Sequence, residues 1–135
     1  MSPRLALIVG AVQAFAFGLP LLIFPALILA LSGLTLPDER VAIARGAGAT
    51  VIGLGVIDWT LRNATGDVLR ALLRGNLAVQ ALSLLVNAGE VLAGHLPVQA
   101  ASASLIHVVL SAMFVLALRT ARGSSPQTRR GAVPR

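Results

Sequence analysis

The chain has no cysteine and no lysine, and only 12% of its 135 residues are charged. Without cysteine there is no disulfide framework, no thiolate metal site and no cysteine nucleophile. Without lysine, the glycines between 46 and 55 do not make a phosphate-binding loop, which needs a lysine to reach the phosphates. Every basic residue is arginine. A pI near 11.9 raises the question of nucleic acid. The arginines, however, stand at the ends of apolar runs and form no basic domain. Anionic lipid headgroups are therefore the expected partner, and nucleic acid is not. Ser83, Ser104 and Ser111 have a histidine near them but no nucleophile elbow, so no enzyme constellation is apparent.

What the chain does have is apolar length. It is 56% hydrophobic, with a mean hydropathy of +0.86. A soluble domain is roughly 45–50% apolar and about 25% charged, so the excess here calls for a different solvent. It is gathered in four runs, at about residues 5–31, 37–61, 68–93 and 97–121. These imply an all-α polytopic membrane protein, four transmembrane helices in an antiparallel up-down bundle covering 1–122. Residues 123–135 read as a disordered, basic, cytoplasmic tail. The alternative that the first run is a signal peptide cleaved near Ala14–Ala16 is set aside, because the apolar run continues well past that point. No internal repeat of helix pairs is visible.

Local signals bound the runs. Pro20 and Pro25 should kink or break the second half of the first, and Ser32-Gly33 should end it. Thr35, Pro37 and Asp38 resemble a capping box opening the second run. Asp67 is placed to cap the third run, Gly94 to stop it, and Pro97 to open the fourth. Asn63-Ala-Thr65 matches a glycosylation sequon, discounted because its loop is assigned to the cytoplasm. That orientation follows from arginine placement. Four spans put both termini and the 62–67 turn on one side, together with Arg4, Arg62, Arg70, Arg74, Arg119, Arg122, Arg129, Arg130 and Arg135. The other side holds Arg40 and Arg45. Both termini are expected in the cytoplasm, and the protein in the cytoplasmic membrane.

The third run carries the most information. Asn76, Gln80, Ser83, Asn87 and Glu90 follow each other at steps of four, three, four and three, which stacks them on one helix face. Such a seam must face protein and not lipid. At comparable depth in the outer half lie Arg45, Asn87, Glu90, Ser104 and His107, with Ser111 nearer the middle. These nine residues form the candidate pocket. Arg45 and Glu90 are candidates for an ion pair offsetting an insertion cost on the order of 2.5–3.5 kcal/mol each; the alternative is that Arg45 snorkels to the headgroups. Asp58 and Arg62, four apart with the acid first, read as a local pair. Gly46, Gly48, Gly53 and Gly55 mark the second run as a close-packing helix.

His107, flanked by Ser104 and Ser111, suits a proton or ligand contact, or a hydrogen bond to the third run. Haem would need a second axial ligand, and His95 sits in a loop, so no cofactor is expected. A lone histidine without cysteine makes no zinc site. Two functions remain open. One is a pocket binding or transporting a proton or a small, largely apolar molecule. The other is an accessory subunit whose seam is interhelix glue, its small-residue face docking on a second copy or another membrane protein.

Through Arg45-x-x-Gly48, Gly53-Leu-Gly55, Trp59-x-x-Arg62, Asn76 and His107, the chain resembles small bacterial four-helix membrane proteins of the DoxX-like and related uncharacterised families, over about residues 40–118. The resemblance implies a four-span inner-membrane fold and a link to oxidoreductase complexes. A membrane redox component is thus a distant third reading, one that the lack of cysteine does not support. Small multidrug transporters also have four spans, but carry a glutamate early in the first, which is missing here.

Overall fold

The computed structural model describes residues 1–35 and 37–123, and the side chains among them other than those of Asp38 and Glu39. Residues 124–135 of the expected tail lie outside this range, and Gly123 is the last residue of a helix. Among the described residues every regular element is helical: α1 (Pro3–Ile23), α2 (Pro25–Leu31), α3 (Asp38–Thr60), α4 (Gly66–Leu92), a single 3-10 turn (Val98–Ala100) and α5 (Ala101–Gly123). Four helical segments, Pro3–Ile23, Arg40–Thr60, Gly66–Leu92 and Val98–Gly123, are long and apolar enough to cross a membrane. Their outer faces fit that solvent: Leu31, Ile43, Leu82, Leu85, Val86, Leu92 and Leu105 are largely exposed. Apolar surface on this scale marks a lipid or partner interface.

The first apolar run is two helices. Pro20 is accommodated inside α1, while Phe24 leaves helical geometry and Pro25 starts α2. A proline lacks the amide hydrogen the helix needs, so the break falls at the residue before it. The run stops where Gly33 adopts φ +76°, a left-handed conformation that closes a helix end cheaply only without a Cβ. Two expected caps differ. Pro37 is itself the N-cap of α3, so Thr35 lies outside the helix. Thr65 is the N-cap of α4. Asp67 sits in the first turn and binds Arg70 at 2.6 Å, where a negative charge also complements the helix dipole.

The helices form two closely packed pairs, α1 with α3 and α4 with α5, joined mainly through contacts of α1 with α5 and α4. The apolar core lies where α1, α4 and α5 meet: Ala6, Leu7, Leu73, Leu110, Met113, Phe114, Ala117, Leu118 and Ala121. The α1–α3 pair is held differently, by backbone approach. A Cβ on Gly48 would stand 2.7 Å from the Leu22 amide nitrogen and 2.9 Å from the Gly18 carbonyl oxygen. One on Gly55 would lie 3.0 Å from Ala14 Cβ. Small residues at this spacing gain dispersion contacts between backbones where lipid offers no hydrophobic drive. Gly46 and Gly53, grouped with them by sequence, would meet nothing within 4 Å; they lie on the outward side of α3.

This contrast gives a direct test. Gly48→Ala forces backbone against backbone and should destabilise the protein by about 1–3 kcal/mol. Gly46→Ala and Gly53→Ala should be neutral or stabilising by up to ~1 kcal/mol. Unfolding in mixed detergent micelles, followed by circular dichroism, distinguishes the two sets.

Candidate functional site

The polar seam of α4 turns inward along most of its length. Asn76 and Gln80 are 2% and 4% exposed, and Ser83 and Asn87 are half-buried. Each amide has a partner. Asn76 Nδ2 donates to Asp58 Oδ1 at 2.7 Å and to the Leu72 carbonyl at 3.1 Å. His107 Nδ1 lies 2.6 Å from Gln80 Oε1. An amide oxygen only accepts, so Nδ1 carries the hydrogen and Nε2 of the neutral ring is left as an acceptor. Asn87 Nδ2 donates to the Ala100 carbonyl at 3.1 Å.

The contacts at 80/107 and 87/100 share one register between α4 and α5: seven residues forward on one helix is seven back on the other. The same register sets Ser83 level with Ser104, and Asn76 level with Ser111. Asn76, Gln80 and Ser83 of α4 thus stand level with Ser111, His107 and Ser104 of α5, and Asn87 with the 3-10 turn before it. Several rungs are incomplete. Ser104 Oγ, Ser111 Oγ and Asn87 Oδ1 are buried and have no hydrogen-bond partner, as is Asp58 Oδ2. Buried polar atoms are almost always satisfied, by ordered water if not by protein. The three on α4 and α5, Asn87 Oδ1, Ser104 Oγ and Ser111 Oγ, describe a chain of positions suited to water.

The remaining expected site residues lie elsewhere. Glu90 is exposed and contacts His95, Oε2 to Nδ1, at 2.8 Å. Arg45 is exposed on α3, and among the described residues no ion pair joins it to Glu90. The reason is topological. Asn87 is level with Ala100, where α5 begins, so the turn of α4 carrying Glu90 projects beyond its neighbour, and α3 packs on α1 instead of α4. A chamber enclosed by the second, third and fourth spans is not what stands at Asn87. Leu82, Ser83, Val86, Asn87 and Leu96 line an open groove of about 410 Å³. A second groove of about 390 Å³, lined by Leu54, Val68, Ala71, Leu72, Gly75 and Asn76, separates α3 from α4.

Asp58 is the residue that sequence reasoning assigned to the wrong partner. It does not pair with Arg62, whose guanidinium binds the Trp59 carbonyl and stacks 4.6 Å from the Trp59 ring centroid. Asp58 turns the other way, to zero exposure. A signal was present: it follows Gly55 by three residues and Gly48 by ten, on the stripe that packs against α1. An acid on a close-packing stripe is a buried acid. Among the described residues no cluster of three or more histidine, cysteine or acidic side chains suits a metal ion.

Compared with known proteins, the chain matches no protein-family model, no curated protein and no solved structure. The ladder's own chemistry therefore carries the functional reading.

The Gln80–His107 contact should couple energetically. Gln80→Leu strands the imidazole and should cost about 1–3 kcal/mol. A double-mutant cycle with His107→Leu should return a coupling of about 0.6–1.7 kcal/mol, measured by unfolding in mixed micelles. A coupling of zero would mean the 2.6 Å contact contributes nothing in the membrane-like environment.

Proposed function

We propose that the chain is a multi-pass protein of the cytoplasmic membrane, its four spans packed antiparallel with both termini in the cytoplasm, and that the ladder between α4 and α5 passes protons. The supporting observation is the combination of the His107–Gln80 bond with buried, partnerless Ser104 Oγ, Ser111 Oγ and Asn87 Oδ1 along the same interface. A proton path needs a group that gives and takes protons near neutral pH, which imidazole does. It also needs hydroxyls and waters within hydrogen-bonding distance on either side. Partnerless buried atoms are where such waters would be held. The arginines at the ends of the apolar runs would lie against anionic headgroups. Catalysis is not part of this reading.

The second reading, an accessory subunit, draws on a specific observation too: Asn76, Gln80 and Asn87 are all bonded within the protein. Contacts of that kind are worth about 0.6 kcal/mol each as adhesion. It leaves the orphaned hydroxyls unexplained, since a serine without a partner adds cost instead of adhesion. A small apolar molecule with a polar head would suit the groove at Ser83 and Asn87, entering sideways from lipid.

Purified protein in vesicles loaded with a pH-sensitive dye, under an imposed potential, should acidify the lumen. His107→Phe should lower that rate by about tenfold or more, the low end of what losing a relay group costs. Flux no greater than that of protein-free vesicles overturns proton conduction and leaves the subunit reading. Orientation is checked separately. The chain has no cysteine, so in intact cells a membrane-impermeant maleimide should label Ala93→Cys and spare Asn63→Cys.

A further inference from the structure

The α1–α3 side of the bundle holds a polar group that the ladder does not use. Asp58 is fully buried, its Oδ1 is occupied by Asn76, and its Oδ2 has no partner. Oδ2 packs directly against the backbone of Gly10, where no side chain intervenes. A Cβ on Gly10 would stand 2.9 Å from Asp58 Oδ2, 3.0 Å from Phe114 Cζ and 3.8 Å from Asn76 Oδ1. Two side-chain oxygens and an aromatic edge thus surround the bare Cα of Gly10. We propose that this cradle is a proton-binding site, in which Asp58 Oδ2 reversibly takes a proton.

The surroundings argue for a proton and against other cations. The groups closest around Asp58 are Gly10 on α1, Asn76 on α4 and Phe114 on α5, none of them charged. Arg4 on α1, Arg40 and Arg45 on α3, Arg74 and Glu90 on α4, and Arg119 and Arg122 on α5 are all exposed. Arg62 is held on Trp59, Arg70 by Asp67, and His107 by Gln80. A buried carboxylate with one hydrogen bond and no countercharge is costly; adding a proton removes the charge and supplies a donor. A hard metal cation takes about six oxygens or more, and only two side-chain oxygens converge here. The site also explains why position 10 is glycine, since a Cβ there would crowd Oδ2 and the Phe114 ring.

This inference does not require the ladder to conduct, so the two fail separately. The probe is dicyclohexylcarbodiimide, an apolar reagent that reaches acids through lipid or detergent and reacts with the protonated form. The carboxyl oxygen bonds to the carbodiimide carbon while the acid proton passes to nitrogen, and the adduct is located by peptide mass spectrometry. Folded wild-type protein in detergent should be labelled at Asp58, and labelling should fall by about tenfold or more from mildly acidic to alkaline buffer. Asp58→Asn should remove it. Gly10→Ala, whose methyl group would crowd Oδ2, should lower it several-fold while the helical circular dichroism signal persists. Three results overturn the proposal: no adduct at Asp58 in folded protein, labelling indifferent to pH, or protection by sodium chloride at constant pH, which would assign the cradle to a metal cation.

Discussion

The hydrogen bond from Asn76 to Asp58 joins the two halves of this bundle. The α1–α3 pair and the α4–α5 pair each pack tightly within themselves, and an apolar groove separates α3 from α4. Across that division Asn76 Nδ2 reaches Asp58 Oδ1 at 2.7 Å, beneath the contact of Gly10 with Phe114. In an apolar surrounding neither group has water as an alternative, so separating the halves would leave both unsatisfied. A single buried polar contact can fix how the halves meet in a way that apolar packing between them, nearly as good at other offsets, does not.

Two kinds of packing are combined around this point. The α1–α3 interface relies on glycines at 18, 48 and 55 that let backbones touch. The α4–α5 interface relies on matched polar rungs at one end and on Phe114, Met113, Leu110 and Leu73 at the other. The first brings backbones into direct contact. The second contains partnerless hydroxyls and one imidazole, groups that cost stability unless hydrated. Asp58 stands in the first interface and His107 in the second, and they bond Asn76 and Gln80, one turn apart on the same face of α4.

Much of this was legible in the sequence. The four apolar runs correspond to the four long apolar helical segments, because the length of an apolar run and its proline and glycine punctuation are local properties. Asn76 and Gln80 are buried where their spacing put them, since helical periodicity fixes which residues share a face. Sequence reasoning went astray where it needed to know which helix lies beside which. It gave Asp58 to Arg62 by the four-residue rule, and it brought Arg45 to Glu90 by assuming that helices at similar depth are neighbours.

The sequence by itself determined that the chain is helical, apolar and built of four long segments, with one segment polar along a single face. Those are consequences of composition and of 3.6-residue periodicity. Only the tertiary structure decided that Asp58 faces Gly10 and Asn76, that Glu90 lies beyond the end of α5, and that the seam meets α3 at Asn76 but α5 at Gln80. The reason is that glycine stripes choose partners by how closely two backbones approach, a property of pairs of helices that no single helix carries.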